Sequence, residues 1–173
     1  MAVVTAIRPA VAGEAEAVAA LYTANRDFLQ PWEPHRDDAF FTEDGQRVRL
    51  RATEFERQAG VSNRCVIEEA GQIVGMVSLT AIERGPVQSA HLGYWVARSA
   101  TGRGVATKAV NEILALAFGE LELHRVQAGT LLHNTGSQKV LQRNGFERIG
   151  VARQYLRIAG EWQDHVLFQR LAG

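Results

Sequence analysis

The sequence predicts an α/β fold around one mixed sheet, with elements in the order β-α-α-β-β-β-α-β-α-β-β. Three observations carry this. Apolar residues recur at three- and four-residue steps in Glu14–Leu29 and Val105–Leu121, the mark of amphipathic helices. Short runs rich in Val, Ile, Thr and aromatic residues lie between turn signals. Three such runs follow one another without a helix, and a helix then separates the third from the fourth. That order mixes antiparallel neighbours with one parallel crossover.

Taken in order, Val3–Arg8 is an edge strand stopped at Pro9. Glu14–Leu29 is a helix whose apolar stripe is Ala17, Val18, Leu21, Ala24 and Phe28, ended by Pro31 and Pro34. A second helix opens at Asp44 or Gly45 and runs through Gln58, with Gly60 as its stop. Arg64–Glu69 and Gln72–Thr80 form a hairpin around Ala70-Gly71, and His91–Ala97 is the fourth strand. Val105–Leu121 places Ala109, Val110, Ile113, Leu114, Ala117 and Leu121 on one stripe. Arg125–Leu132 is the fifth strand, and Thr135–Asn144 is a short helix stopped by Gly145. Phe146–Ile158 and Glu161–Leu171 close the chain as a hairpin turning at Ala159-Gly160.

At 173 residues the chain is read as a single domain, 1–173, with Gln30–Gly45 a functional loop rather than a linker. Lys+Arg and Asp+Glu are both 19, which argues against a nucleic-acid partner, since such domains carry a basic excess. No apolar run has the length of a membrane span, and no signal-peptide pattern opens the chain, so a cytoplasmic location is expected. The single cysteine, Cys65, falls in a strand and has no evident histidine partner, so it reads as a core residue.

The stretch Ala100-Thr101-Gly102-Arg103-Gly104-Val105-Ala106-Thr107-Lys108 joins the fourth strand to the long helix. Strand, glycine pair and helix N-terminus together present free N–H groups and a positive dipole end to an anion. A plain glycine-rich connection has the same composition. The dinucleotide fingerprint fails because Thr107 stands where a third small residue is needed, and the P-loop's Gly-Lys-Ser/Thr is absent. One crossover later comes Asn134-Thr135-Gly136-Ser137, followed by Asn144-Gly145-Phe146. Asn134 suits a helix N-cap, and Ser137 sits in the first turn of that helix.

Together these motifs resemble the GCN5-related N-acetyltransferases, the GNAT family. There a Gln/Arg-x-x-Gly-x-Gly/Ala pattern binds the pyrophosphate of acetyl-coenzyme A. Thr101 replaces the Gln or Arg here, which removes one side-chain contact and leaves the backbone amides. The Asn-x-x-Ser pair, Asn25-Arg26-Asp27-Phe28-Leu29, Gln30-Pro31-Trp32-Glu33-Pro34, Leu92-Gly93-Tyr94 and Trp162-Gln163-Asp164-His165-Val166 resemble the branch that acetylates ribosomal-protein alanine.

The resemblance implies the GNAT fold, with strands four and five splayed around acetyl-CoA and no metal. Pantetheine would pair with the backbone near Trp95, Val96 and Ala97, and Asn134 would bond its amide region. The pyrophosphate would rest on N–H groups from Arg103, Gly104, Val105, Ala106 and Thr107, with charge from Arg103 and Lys108. Arg98 and Arg143 are candidates for the 3′-phosphate or adenine side. Ser137 would protonate the departing thiolate. The branch's glutamate base maps to Leu156, which cannot act. Glu33 is the preferred base, with Glu68, His91 and Asp164 as substitutes; for Asp164-His165 a structural hydrogen bond is the alternative. Trp32, Glu33, Tyr94 and Tyr155 would line the acceptor cleft.

An α-amine has a pKa of about 7.7–8.0, so roughly a tenth is neutral near pH 7, against less than about one part in a thousand for lysine. A site without an obvious strong base therefore suits a protein N-terminus. A small amine (antibiotic, polyamine or amino-acid-like metabolite) is the nearest alternative acceptor. A non-catalytic acyl-CoA-binding module is a second. A homodimer is compatible with either.

Overall fold

The computed structural model describes residues 5–173. Val3 and Val4 of the first expected strand lie outside the described residues. The elements are β1 (Thr5–Pro9), α1 (Ala15–Ala24), α2 (Arg26–Leu29), α3 (Glu43–Gln58), β2 (Asn63–Glu69), β3 (Gln72–Glu83), β4 (Ser89–Val96), α4 (Val105–Phe118), β5 (Arg125–Leu131), α5 (Thr135–Arg143), β6 (Glu147–Ile158) and β7 (Glu161–Leu171). Short 3₁₀ turns occupy Gln30–Trp32 and Asp38–Phe41 in the long loop and Arg98–Ala100 after β4.

The seven strands form one mixed sheet in the order β1-β2-β3-β4-β5-β7-β6. Every neighbouring pair is antiparallel except β4 and β5. Those two are parallel, and they pair only at Ser89↔Arg125, Ala90↔Val126 and His91↔Gln127. Beyond His91 they diverge, and β4 runs on to Val96 and β5 to Leu131 without a common ladder. The expected splay is therefore present.

Helices cover both faces. On one, α4 buries Val105, Ala109, Val110, Ile113, Leu114 and Ala117 against Ile67, Val77, Leu79 and Val126. This is the stripe read from sequence, except that Leu121 lies past the helix end and packs on the cluster from the loop. On the other face, α1 and α3 cover Val66, Met76 and Trp95 with Val18, Tyr22 and Leu50.

The first helix departs from expectation in two ways. It breaks at Asn25, where α1 stops and α2 begins. The Asn25 amide donates to Leu21 O at 2.8 Å and its carbonyl oxygen accepts from Arg98 N–H at 2.9 Å. A buried asparagine that bonds the preceding turn competes with the helical ladder and bends the chain. The buried stripe is also shifted, to Ala15, Val18, Ala19 and Tyr22, while Ala17 and Ala24 are exposed. Tyr22 can go inside because its hydroxyl accepts from Trp95 Nε1 at 3.0 Å. The α3 helix starts slightly earlier than expected, because Thr42 caps it by accepting from Gly45 N–H at 3.0 Å.

Candidate active site

The cradle is built from the end of β4 and the start of α4. Gly102 and Gly104 have φ of +75° and +81°, a conformation that L side chains rarely adopt. Gly104 is the N-cap of α4, and Lys108 N–H is the donor that closes onto Gly104 O. The amides of Val105, Ala106 and Thr107 precede that first intrahelical bond and are free for an anion. The whole turn is held from behind. Buried Asn144, at the end of α5, donates to Thr107 O at 3.2 Å and to Val140 O at 2.9 Å.

A groove of about 440 Å³ runs from this cradle along the end of β4 to the first turns of α5. Val96, Gly104, Val105, Ala106, Thr107, Asn134, Ser137 and Arg143 line it. Phe28, Lys139 and Val140 do so as well, none of which the sequence marks as a site residue. Backbone direction along β4 separates the three residues expected to pair with pantetheine. Ala97 N–H donates to Val74 O, and Trp95 O faces β3, where a Cβ on Gly75 would meet it at 2.3 Å. Alternation along a strand then turns the N–H groups of Tyr94 and Val96 toward the opened side. So Val96 presents its backbone to the groove, Trp95 presents its side chain, and Ala97 is buried with its N–H already used. Arg98 is exposed and bonded through its backbone to Asn25; Arg103 reaches away to Glu69 at 2.5 Å. Neither lines the groove.

A second cavity, of about 320 Å³, occupies the gap between the diverging β4 and β5. Glu33, Arg36, Arg49, Arg64, Leu156 and His165 are among its walls. Its roof is the loop after α2, clamped down by a bond from Ala159 N–H to Glu33 O at 2.9 Å. Burial raises the Glu33 carboxyl above the usual carboxylate range, and Arg36 and Arg49 pull only partly in the other direction. Leu156, which the resemblance sets in place of a glutamate base, does line this cavity. Tyr155 does not; its ring packs 5.5 Å from His165.

The two cavities share Leu29, Trp32, Tyr94, Trp95, Asn134 and Ser137. At this junction Asn134 caps α5 by accepting from Ser137 N–H at 3.1 Å, which fixes the serine in the first helical turn. The Tyr94 hydroxyl lies 2.7 Å from Ser137 Oγ and 3.1 Å from Ser137 O. Burial pushes the Tyr94 phenol up to about 12. Trp32 stacks near His133, ring centroids 5.3 Å apart, and closes the junction from above.

Of the alternative bases, Glu68 is paired with Arg8 at 2.8 Å, and His91 lies at the last β4–β5 pair. Asp164 accepts from Gln154 N–H at 2.8 Å, and His165 Nδ1 is 2.9 Å from Gln163 O. The Asp164-His165 pair is therefore held structurally. The sequence signals for Tyr22, Arg36 and Arg49 were absent: each is a polar or aromatic residue on an unremarkable loop or helix position.

Residues 5–147 match the acetyltransferase (GNAT) domain model. The probable N-acetyltransferase YjcK of Bacillus subtilis is 36% identical over 92% of this chain and 89% of its own. The [ribosomal protein uS5]-alanine N-acetyltransferase of Escherichia coli is 33% identical over 84% of this chain and 76% of its own. The crystal structure of Mycobacterium smegmatis RimJ in complex with CoA-disulfide superposes with a TM-score of 0.94 at 33% identity, covering 97% of this chain and 82% of that one. With its Gly102–Thr107 cradle beside a sheet that opens between β4 and β5, the chain belongs to the GNAT acetyltransferase family and is an N-acetyltransferase related to the Rim-type enzymes.

Proposed function

We propose that the protein transfers the acetyl group of acetyl-CoA to the N-terminal α-amine of a protein, with a ribosomal protein as the expected acceptor. The observation that carries this reading is the junction: Ser137 and Tyr94 stand where the cofactor groove meets the cavity that holds Glu33.

The groove fits acetyl-CoA. It offers free amides at Val105, Ala106 and Thr107 for the pyrophosphate, cations at Lys139 and Arg143, and the unpaired edge of β4 for an extended pantetheine arm. Thr101 adds no long polar side chain; its hydroxyl donates back to Arg98 O. Backbone therefore does most of the binding.

In the proposed reaction a neutral amine attacks the thioester carbonyl. The amine's proton passes to Glu33, directly or through water. The carbonyl oxygen is polarised by the Val96 N–H, and the C–S bond breaks as Ser137 Oγ gives its proton to the sulfur. The Tyr94 hydroxyl stays protonated and holds Ser137 Oγ in place by a hydrogen bond, and Ser137 regains its proton from water. A thiol of pKa about 8.5 leaves with modest help, so one weak acid is enough. A Glu33 raised by burial is closer to neutral pH than an ordinary carboxylate, which improves it as a base. The acceptor cavity has the volume for a chain end and lies at the small end of ligand pockets, ~300–1,000 Å³.

The test is thiol release from acetyl-CoA with peptides bearing free N-termini, peptides with blocked N-termini and internal lysines, and small amines. Turnover with the free N-termini is expected. Acetylation confined to lysines or to small amines sinks the reading.

A further inference from the structure

The acceptor cavity carries an excess of positive charge that the chemistry of acetyl transfer does not require. Arg36, Arg49 and Arg64 all line it, and Glu33 is its one carboxylate among the described residues. Arg64 has a partner outside the cavity, Glu56 at 3.6 Å. Arg36 meets Glu33 at 3.8 Å, too far for a hydrogen bond, and its Nε is buried without one. Arg49 forms no ion pair among the described residues, and its Nη1 is likewise buried without a hydrogen-bond partner. Both guanidinium groups stack on the same ring, Phe40, at 4.6 and 4.3 Å. Stacking fixes their planes without using an N–H donor.

Arg36 and Arg49, both stacked on Phe40 and both lining a cavity with a single carboxylate, form a receptor for an anion. A carboxylate is the natural guest, because a guanidinium edge matches its two oxygens. The same cations disfavour a protonated amine nearby and so hold an incoming amine in its neutral, nucleophilic form.

We propose that the acceptor carries a carboxylate close to its reacting amine, as in a protein N-terminus with Asp or Glu at its second or third residue, and that Arg49 with Arg36 receives that carboxylate. This deepens the proposed function and rests on it for the identity of the amine. Polyamines and basic N-termini are then poor acceptors, and a free acidic amino acid is the small-molecule source of the same chemistry.

The experiment compares kcat/KM for three peptides that differ only at residues two and three: Ala-Asp-Glu, Ala-Asn-Gln and Ala-Lys-Lys, each followed by one neutral sequence. Free glutamate is a fourth arm. The acidic peptide is expected to exceed the neutral one by at least roughly ten-fold, and the basic one to be slower still. In Arg49→Gln, and separately in Arg36→Gln, the acidic-to-neutral ratio should fall to within about three-fold. The ratio is read within each variant, so partial loss of folded protein affects both peptides alike. Equal rates for the three peptides overturn the inference and leave N-terminal acetylation standing. A preference that persists in both arginine variants also overturns it. Acetylation of glutamate with no peptide turned over keeps the anionic acceptor and removes the protein acceptor. Tryptophan fluorescence on titration with the N-acetylated acidic peptide gives binding apart from turnover. Wild-type binding that Arg49→Gln weakens supports the inference, and its absence in the wild type opposes it.

Discussion

The Tyr94 hydroxyl lies 2.7 Å from Ser137 Oγ, across the gap between β4 and the first turn of α5. The phenol, raised to about 12 by burial, stays protonated at every pH the enzyme would meet. It is thus a standing donor to Ser137. If Ser137 passes a proton to the thiolate and Tyr94 supports it, the two act as a unit. Ser137→Ala should lower kcat by about 10- to 100-fold, and Tyr94→Phe by less. The double variant should lose little beyond Ser137→Ala, because residues that act together are not additive. Single-turnover measurement of all three checks this. Fully additive losses would mean that the hydroxyls work separately.

Gly104 has φ of +81°, and a Cβ placed on it would meet nothing within 4 Å. The constraint is therefore backbone strain, not collision. Gly104→Val should cost about 1–2 kcal/mol of local strain and tilt the amides of Val105 and Ala106. The KM for acetyl-CoA should rise several-fold, with a smaller change in kcat. Gly104→Asn, which visits this conformation more readily, should be the milder variant. An unchanged KM in the valine variant would remove the cradle from its role.

Much of this site was legible in the sequence, and the reasons are physical. Positive-φ glycines before an amphipathic helix and an asparagine three residues before a serine are local signals, and local geometry follows from them directly. A mixed sheet with one parallel crossover follows from element order, and the β4–β5 splay from the resemblance to the GNAT family. What was not legible depends on packing between distant segments. The shift of the α1 stripe to Tyr22 needs Trp95 as a hydrogen-bond partner, 73 residues away. The Asn25 break needs the Arg98 amide, also 73 residues away. The arginine pair on Phe40 joins a loop to α3, and no periodicity marks it. Arg98 and Arg103 show the converse: basic residues near a cradle in sequence whose side chains do not line it.

Asn25 ties the Leu21 carbonyl to the Arg98 amide and so couples α1 to the end of β4. Asn25→Ala leaves the Arg98 N–H unpaired, while Leu21 O keeps its bond from the residue 25 N–H, at a cost of about 1–3 kcal/mol. For a chain of this size that lowers Tm by roughly 2–4 °C per kcal/mol. Asn25→Asp keeps the acceptor for Arg98 N–H but loses the donor to Leu21 O. Thermal unfolding should rank wild type above both variants, and Asn25→Ala should also raise the KM for acetyl-CoA by loosening the chain just before the cradle.

Cys65 is 3% exposed, and burial pushes its thiol up to about 11. At pH 8 only about one thiol in a thousand is ionised, and the thiolate is the reactive form. Alkylation by iodoacetamide in the folded protein should be slower than in denaturant by several orders of magnitude, and Cys65→Ala should keep acetyl transfer. Rapid native labelling with loss of activity would place the thiol in the chemistry.

Glu33 links stability and activity through one proton. Burial raises its pKa in the folded protein above the unfolded value, with Arg36 and Arg49 opposing but not cancelling. The folded state therefore holds the proton more tightly than the unfolded chain. Below the ordinary carboxylate pKa both states are protonated and the full stability is present. As pH rises through the folded pKa, stability is lost, because the carboxylate must ionise in a half-buried site. Glu33→Gln cannot ionise, so its Tm should match the wild type in acid and exceed it at pH 8. Its activity should move the opposite way. In the wild type, kcat/KM rises with pH first as Glu33 ionises and then as the amine, near 7.7–8.0, loses its proton. Glu33→Gln should lose the lower limb, keep the upper one and run slower throughout. A variant more stable at pH 8 yet with an unaltered pH–rate profile would keep the buried carboxyl and assign the base to another group or to water.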